Sequence, residues 1–410
     1  MDVSQQDTEL KKPSLSFLFW TFFKIGCMAF GGFMALVAVI EKVVCEKLRL
    51  ISSDDILEGI SLAGIMPGPT AVNVVSYVGY KIRNWQGAFV CTVAILIPTF
   101  VLMLGLSYIY FTYGNTPTLE RVFMGILPAI VAIIVCVAIK LAKKKLEIPL
   151  DYIVAMVAAL VLICFGNFYT TLLVVATAAL SGAFIFRDIY IDKQVLKNKD
   201  LKNNFNKNKK NNTHYAALIL ILIFVGILVI AHFFPTYKLQ ELLLTFSGLS
   251  VTLFGGGYVM IPMMQDILVN DYAWVTSKEF ADGIALGQVT PGPIMISAAF
   301  IGYKLSGISG ALVATIGMFT PTAVLMVVAS SFLEKISGSI HVQASTRAIK
   351  IAAIGMIFAA AFLLGVDVEI NVLTVAIFIL SMVAILIFEV SVLLIIPIAG
   401  VLGYFLAGTI

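Results

Sequence analysis

The sequence has 410 residues, of which 60% are hydrophobic and 12% are charged, and its mean hydropathy is +1.02. This composition places the chain in the membrane class and excludes a soluble multidomain enzyme. A formal net charge of +4 is too small for a nucleic-acid binder. Signatures of hydrolases, ATPases and dinucleotide-binding enzymes are missing, and the three histidines are too scattered to build a metal site. We therefore expect no enzyme activity, no cofactor and no metal.

Runs of apolar residues predict the membrane segments, since a transmembrane helix needs roughly 20 of them. Seven runs are long enough: 15–43, 86–112, 121–141, 215–233, 239–265, 308–333 and 346–365. The stretches 149–186 and 370–409 are each interrupted, and each predicts two short helices packed as a hairpin. Residues 53–81 and 277–303 are mixed segments, each broken by Pro-Gly-Pro. Together these segments predict an all-α polytopic membrane protein with about 13 membrane segments.

Basic residues indicate the orientation, because cytoplasmic loops retain Lys and Arg. Lys81, Arg83, the lysines at 140–145 and the loop 187–214 should share the cytoplasmic side with the N-terminus. That loop carries eight basic and three acidic residues in an Asn/Lys-rich run that predicts a disordered linker. The expected organisation, in the cytoplasmic membrane, is a tail (1–14), a first repeat (15–186), the linker (187–214), an extra transmembrane helix (215–233) and a second repeat (239–410).

The two repeats are identified by motifs that recur at an offset of 224 residues. Phe-Gly-Gly stands at 30–32 and 254–256, and Pro-Gly-Pro at 67–69 and 291–293. After a one-residue deletion the match continues, with Gly79-Tyr80-Lys81 against Gly302-Tyr303-Lys304 and Pro98-Thr99 against Pro321-Thr322. If residues 53–81 cross the membrane, an odd number of crossings separates equivalent points of the copies. The halves are then inverted, as in many secondary transporters.

Each Pro-Gly-Pro predicts a helix break near membrane depth. Ser52 with Asp55, and Thr276 with Glu279, have the spacing of a helix N-cap, so a short helix should begin there in each copy. It stops at the prolines, which cannot donate backbone hydrogen bonds. The half-helix that follows exposes N–H groups and the positive end of its dipole, which suits an anion.

The predicted substrate-binding residues are the break motifs and the polar side chains beside them. They are Phe30, Gly31, Gly32, Pro67, Gly68, Pro69, Thr70, Asn73, Phe254, Gly255, Gly256, Gln288, Thr290, Pro291, Gly292, Pro293 and Ser297. Tight helix packing is the alternative explanation for the glycines. Lys24, inside the first span, either holds the anion or snorkels to the membrane surface. Glu58 and Asp282 either carry a coupling proton or cap a helix.

The motif order Phe-Gly-Gly then Pro-Gly-Pro, present twice, resembles the long, two-domain form of the chromate transporter (CHR) family. The likeness covers about 15–186 and 239–409. It implies a membrane transporter of oxyanions, with chromate extruded and sulfate competing, built as an inverted duplication. The chain departs from that pattern where Phe33 replaces the third glycine of Phe-Gly-Gly-Gly, which the second copy keeps as Gly257. This difference puts equal function of the two copies in doubt.

Both lines of argument lead to a secondary transporter that moves chromate or sulfate by alternating access around the two breaks, with efflux as the expected direction. A transporter of another small anion, an anion channel, a sensory scaffold and an intramembrane lipid enzyme stay open as alternatives. The expected partners are the oxyanion and the lipid bilayer, with a homodimer left open and no nucleic acid.

Overall fold

A computed structural model describes residues 13–30, 32–113, 116–165, 168–186, 237–252, 257–330, 340–366 and 368–406. Every regular element in these ranges is a helix. The predicted site residues Gly31, Phe254, Gly255 and Gly256 lie outside the described residues. So do nearly all of the predicted tail, the linker 187–214 and the extra helix 215–233.

The described residues form fourteen α-helices, seven before the linker and seven after it. The first seven are α1 (Leu15–Met28), α2 (Gly32–Ile40), α3 (Ser53–Ala63), α4 (Thr70–Tyr113), α5 (Pro117–Lys145), α6 (Pro149–Phe165) and α7 (Phe168–Ile185). The others are α8 (Tyr237–Thr252), α9 (Met260–Gln265), α10 (Ser277–Val289), α11 (Ser297–Ser330), α12 (Ile340–Val366), α13 (Val372–Leu386) and α14 (Val392–Leu406). A π-helical turn follows both α2 (Glu41–Lys47) and α9 (Asp266–Asp271).

The segment 53–81, for which the sequence analysis considers a membrane crossing, folds back on itself. The Lys81 Nζ lies 2.9 Å from Asp55 Oδ1, although 26 residues separate the two. Midway along the hairpin, Gly59 faces the Tyr77 ring so closely that a methyl group there would lie 2.5 Å from it. The second copy repeats both contacts, with Lys304 on Glu279 and Phe300 against Gly283. The sequence left a crossing and a re-entrant path open, and the structure has the re-entrant one, because a break that contains glycine permits reversal as readily as continuation.

A tight corner joins each hairpin to the helix that follows. In α4 the backbone dihedrals of Arg83 and Asn84 are not helical, so α4 consists of α4a (70–82) and α4b (85–113). Gly79 and Gly87 then touch backbone to backbone: a methyl group on Gly79 would lie 2.5 Å from the Gly87 carbonyl oxygen. Residues eight apart in a straight helix would be about 12 Å apart along the axis. In α11 the corner lies at Ser306 and Gly307, which divides α11 into α11a (297–305) and α11b (308–330).

Basic residues gather at one end of the molecule, here called the lysine-rich end. Arg83 donates a hydrogen bond of 2.7 Å to the Pro13 carbonyl, so α1 begins where α4a ends. The Lys81 contact with Asp55 places the start of α3 there as well. Phe186, just after α7, lies 5.3 Å from the guanidinium of Arg347 at the start of α12. Arg347 in turn pairs with Asp151 at the start of α6. That this end faces the cytoplasm stays a prediction.

The second copy enters from the opposite end. The helix α4b runs about 40 Å away from the lysine-rich end, at 1.5 Å per residue. At its far end Tyr110 donates a hydrogen bond of 2.7 Å to Asp282 of α10. Lys278, at the start of α10, lies 3.7 Å from Glu120 at the start of α5. The bases of the two hairpins thus lie at opposite ends of one helix, so the halves are inverted.

The halves stay inverted although 53–81 does not cross the membrane. The reason is that α1 and α2, counted from the sequence as one span, also form a returning pair. The chain leaves the lysine-rich end at the start of α1 and is back there at the start of α3, so two counted crossings are lost and the parity is unchanged. In the second copy, 238–252 and 257–271 are bent by 118°. Among the described residues, four helices are long and apolar enough to cross alone, namely 70–113, 120–145, 294–330 and 341–366. The predicted total of about 13 segments stays a prediction.

Cysteines introduced at Lys47 and Asp271 test the inversion directly. Both residues end a π-helical turn, at equivalent places in the two copies. Because the copies are inverted, we expect an impermeant maleimide to label the two positions from opposite sides of the membrane, in a background that lacks the exposed Cys27 and Cys164. Labelling of both from the same side would contradict the fold.

Candidate functional site

The first break lies between α3 and α4. Gly68 adopts a φ of +102°, which side chains rarely tolerate, and α4 begins two residues later at Thr70. Asn73 is fully buried, and its amide Nδ2 donates a hydrogen bond of 2.8 Å to the Pro67 carbonyl. The predicted residues Pro67, Gly68 and Asn73 therefore form one unit, in which a side chain satisfies a carbonyl that the helix has lost.

The second break has the same construction between α10 and α11. Gly292 has a φ of +108°, and a 3-10 turn over Ile294–Ile296 leads into α11. Two predicted residues bond their hydroxyls to nearby backbone on either side of the break. The Thr290 hydroxyl donates a hydrogen bond of 3.0 Å to the Gly287 carbonyl, and the Ser297 hydroxyl donates one of 3.0 Å to the Ile294 carbonyl. These hydroxyls are engaged with their own backbone, so an anion would have to compete with that bond.

Each break rests on the other half of the molecule. The Gly292 N–H donates a hydrogen bond of 2.9 Å to the Ala29 carbonyl, which precedes the predicted residues Phe30 to Gly32. The Thr99 hydroxyl donates to the Pro291 carbonyl. Conversely, Gly68 packs against Thr322 so tightly that any side chain at 68 would collide with it. The two Pro-Gly-Pro breaks and the end of α1 therefore meet near the middle of the molecule.

The two breaks differ in exposure. Around the first, Gly64 to Pro67 and Thr70 are partly exposed. Around the second, Gln288 and Val289 are partly exposed and every residue from Thr290 to Gly302 is buried. The first break is thus the more exposed of the two in this conformation.

Two buried polar atoms near the breaks have no hydrogen-bond partner among the described residues. They are Asn73 Oδ1 and Gln288 Nε2. The Gln288 Oε1 does accept a bond of 3.2 Å from the Tyr258 hydroxyl. Buried polar atoms normally have partners, so these two mark places for water or a polar ligand. A cavity of about 280 Å³ between α4b and α11b is lined mainly by apolar residues such as Phe89 and Leu312 and is not part of this polar set.

The paired acidic residues have different surroundings. Glu58 is exposed, accepts a hydrogen bond of 2.9 Å from Tyr77 and lies 3.2 Å from Lys81. Asp282 is fully buried, and Tyr110 is its hydrogen-bond donor, while Oδ1 has no partner among the described residues. A carboxyl group without a cation in such a place is costly as an anion, so Asp282 is the better candidate to carry a proton.

The cap residues Asp55 and Glu279 have a structural role. Partial burial raises the pKa of Asp55, but the hydrogen bonds from Lys81 and Ser52 outweigh this and leave the pKa below its ordinary value. The pKa of Glu279 is lowered in the same way, with burial opposed by Lys304 and Thr276. Both carboxylates therefore stay ionised and hold the base of their hairpin closed.

Lys24 does not join this constellation. It lies on the exposed face of α1, opposite the buried Leu18, Phe22 and Ile25. No contact with either break is found among the described residues. The structure instead brings in residues that the sequence analysis did not select: Thr99, Thr322, Tyr110 and Lys350. The repeated Pro-Thr pair signals the two threonines, and the lysine at the start of the uncharged run 351–366 signals Lys350.

Comparisons with known proteins place this arrangement in a family. The family described as Chromate transporter matches residues 17–183 and 240–404, which together make up most of the chain. An uncharacterised transporter of Methanocaldococcus jannaschii is 29% identical over 96% of this chain and 94% of its own. No solved structure matches the chain.

Two further relatives carry a function in their names. A probable chromate transport protein of Synechococcus elongatus is 29% identical over 86% of this chain and 85% of its own. A chromate transport protein of Cupriavidus metallidurans is 27% identical over 84% of this chain and 81% of its own. With its two matched regions and its paired, inverted helix breaks, this integral membrane protein belongs to the chromate transporter family.

Proposed function

We propose that the chain is a secondary transporter that moves chromate, or the similar dianion sulfate, across the cytoplasmic membrane. The observation that carries the proposal is the meeting of the two glycine-centred breaks near the middle of the molecule, each against a threonine of the other half. Relatives named as chromate transport proteins support the choice of substrate.

Helix ends explain how the site would bind a dianion. After each break a helix begins, at Thr70 and at Ser297, with N–H groups and a positive dipole end directed at the break. Neutral donors of this kind bind an anion without the cost of burying several charged side chains. Chromate and sulfate are both tetrahedral dianions, so donor geometry alone separates them poorly.

The unequal exposure of the breaks supports alternating access. The first hairpin, based at the lysine-rich end, is partly exposed from Gly64 to Pro67 and at Thr70, whereas the tip of the second, based at the opposite end, is partly exposed only at Gln288 and Val289. Because the halves are inverted copies, exchange of their conformations would close the first tip and open the second. A site between them would then face each side in turn. With the lysine-rich end in the cytoplasm, the conformation described loads from the cytoplasm, as efflux requires.

Transport of labelled chromate and sulfate into proteoliposomes, with imposed pH and voltage gradients, tests the function. We expect saturable uptake of both, and counterflow in which unlabelled sulfate inside the vesicles drives entry of labelled chromate. A channel cannot show counterflow. Failure to move either anion would contradict the proposal, and conductive flux without saturation would indicate a channel.

The glycines of the breaks should be indispensable for transport. Gly68→Ala and Gly292→Ala place a side chain at a positive φ and against a threonine of the other half. We expect each to lower the transport rate about tenfold or more while membrane insertion stays normal. Gly105→Ala, in α4b with nothing within 4 Å of the added carbon, is the matched control. Normal rates in both break variants would count against the site.

Asp282 should link transport to the pH gradient. In Asp282→Asn the buried carboxyl can no longer bind and release a proton, so accumulation driven by a pH gradient should fall about tenfold or more, while counterflow continues. Glu58→Gln removes the exposed, lysine-paired counterpart and should leave the response to pH intact. If Asp282→Asn still accumulates substrate like the wild type, the proton is carried elsewhere.

A further inference from the structure

Lys350 is the last charged residue of a membrane-spanning candidate that is apolar beyond it. It lies in α12, within the membrane-spanning candidate 341–366, and from Ile351 to Val366 no other charged residue follows. Charged residues inside a membrane span usually face a pathway or a binding site, because exposure to lipid is costly. Lys350 is partly buried, so the direction of its amine decides what it does.

The amine points at the first break. A methyl group on Gly64 would lie 2.8 Å from the Lys350 Nζ, so the lysine occupies the space that a side chain at 64 would fill. Gly64 ends α3, three residues before Pro67 and eleven residues from the base of the hairpin. A lysine that snorkelled to the membrane surface would instead place its amine at the end of the molecule.

No carboxylate neutralises this amine among the described residues. The nearby acids Asp151 and Glu147 are both paired with Arg347, one turn earlier on α12. Lys145, at the end of α5, adds a second positive charge to the surroundings of Lys350. A cation without a counter-ion, next to a partly exposed helix break, is a place where an anion binds favourably.

We propose that Lys350 is the cationic ligand of the transported dianion at the first break. The inference rests on the proposed function and assigns the charged contact within that site. The ammonium would approach the anion from α12, and the N–H groups at the start of α4 would approach it from the break. Tetrahedral dianions, with oxygens on both sides, suit such a two-sided site.

The two breaks are then unequal in chemistry as well as exposure. By the offset that relates Gly79 to Gly302, Leu127 of α5 is the counterpart of Lys350. The second break has the neutral Gln288 and Tyr258 close to it. An anion would meet a lysine at the first break and neutral donors at the second.

Anion binding to purified protein and transport by the same variants test the inference. We expect Lys350→Gln to raise the sulfate concentration needed for thermal stabilisation, and the KM for chromate and sulfate, about tenfold or more. The maximal rate should change less than KM. Lys350→Arg keeps the charge and should stay within about threefold of the wild type. Lys24→Gln, an equally charged but exposed position, is the matched control.

A second variant keeps the lysine. Gly64→Leu fills the space in front of the amine, and its backbone φ of −74° accommodates a side chain, so it should raise KM as Lys350→Gln does. Wild-type KM and stabilisation in Lys350→Gln, or an equal effect of Lys24→Gln, would overturn the inference. So would a wild type that neither sulfate nor chromate stabilises.

The two proposals fail in different ways. If anions stabilise the wild type, and Lys350→Gln loses that effect, the lysine site stands even where no transport occurs, and only the proposed function is refuted. If the wild type transports and Lys350→Gln transports with the same KM, the function stands and the lysine site is refuted.

Discussion

Backbone groups released by a broken helix must find partners inside the membrane, and this requirement organises the centre of the molecule. The Gly292 N–H finds the Ala29 carbonyl, and the Pro291 carbonyl finds the Thr99 hydroxyl. At the second break both partners come from the other half of the chain, whereas at the first break Asn73 of the same repeat satisfies the Pro67 carbonyl and the other half contributes Thr322 against Gly68. The second break is therefore complete only when the halves are paired, and the candidate site lies where the halves meet.

Sequence reasoning succeeded wherever local chemistry decides the structure. The N-caps at Ser52 and Thr276, the helix breaks at Pro-Gly-Pro and the duplication all follow from short-range signals, and the structure has them. It left the direction of the chain after each break open. A glycine with positive φ allows either continuation or return, and the choice depends on contacts such as Lys81 with Asp55 that the sequence does not reveal.

The lysines show the same limit. A lysine within a predicted membrane span points to function, and both Lys24 and Lys350 satisfy that rule. Which of them faces the break depends on how each helix is rotated in the packed bundle. The face of α1 that carries Leu18 and Phe22 is buried, which leaves Lys24 outside. For α12, contacts with α5, α6 and α7 leave Lys350 directed at Gly64. Helix rotation is a tertiary property, and one apolar sequence accommodates several rotations.

The glycine corners have a mechanical consequence. Gly79 against Gly87, and Gly302 against Gly310, leave no room for a side chain, so each hairpin is fastened to its adjoining long helix at one point of backbone contact. A hairpin cannot tilt without moving the long helix to which it is joined. The two long helices α4b and α11b in turn pack on each other. Under the proposed alternating access, movement at one hairpin tip would therefore be transmitted to the other, and the two tips would move together rather than independently.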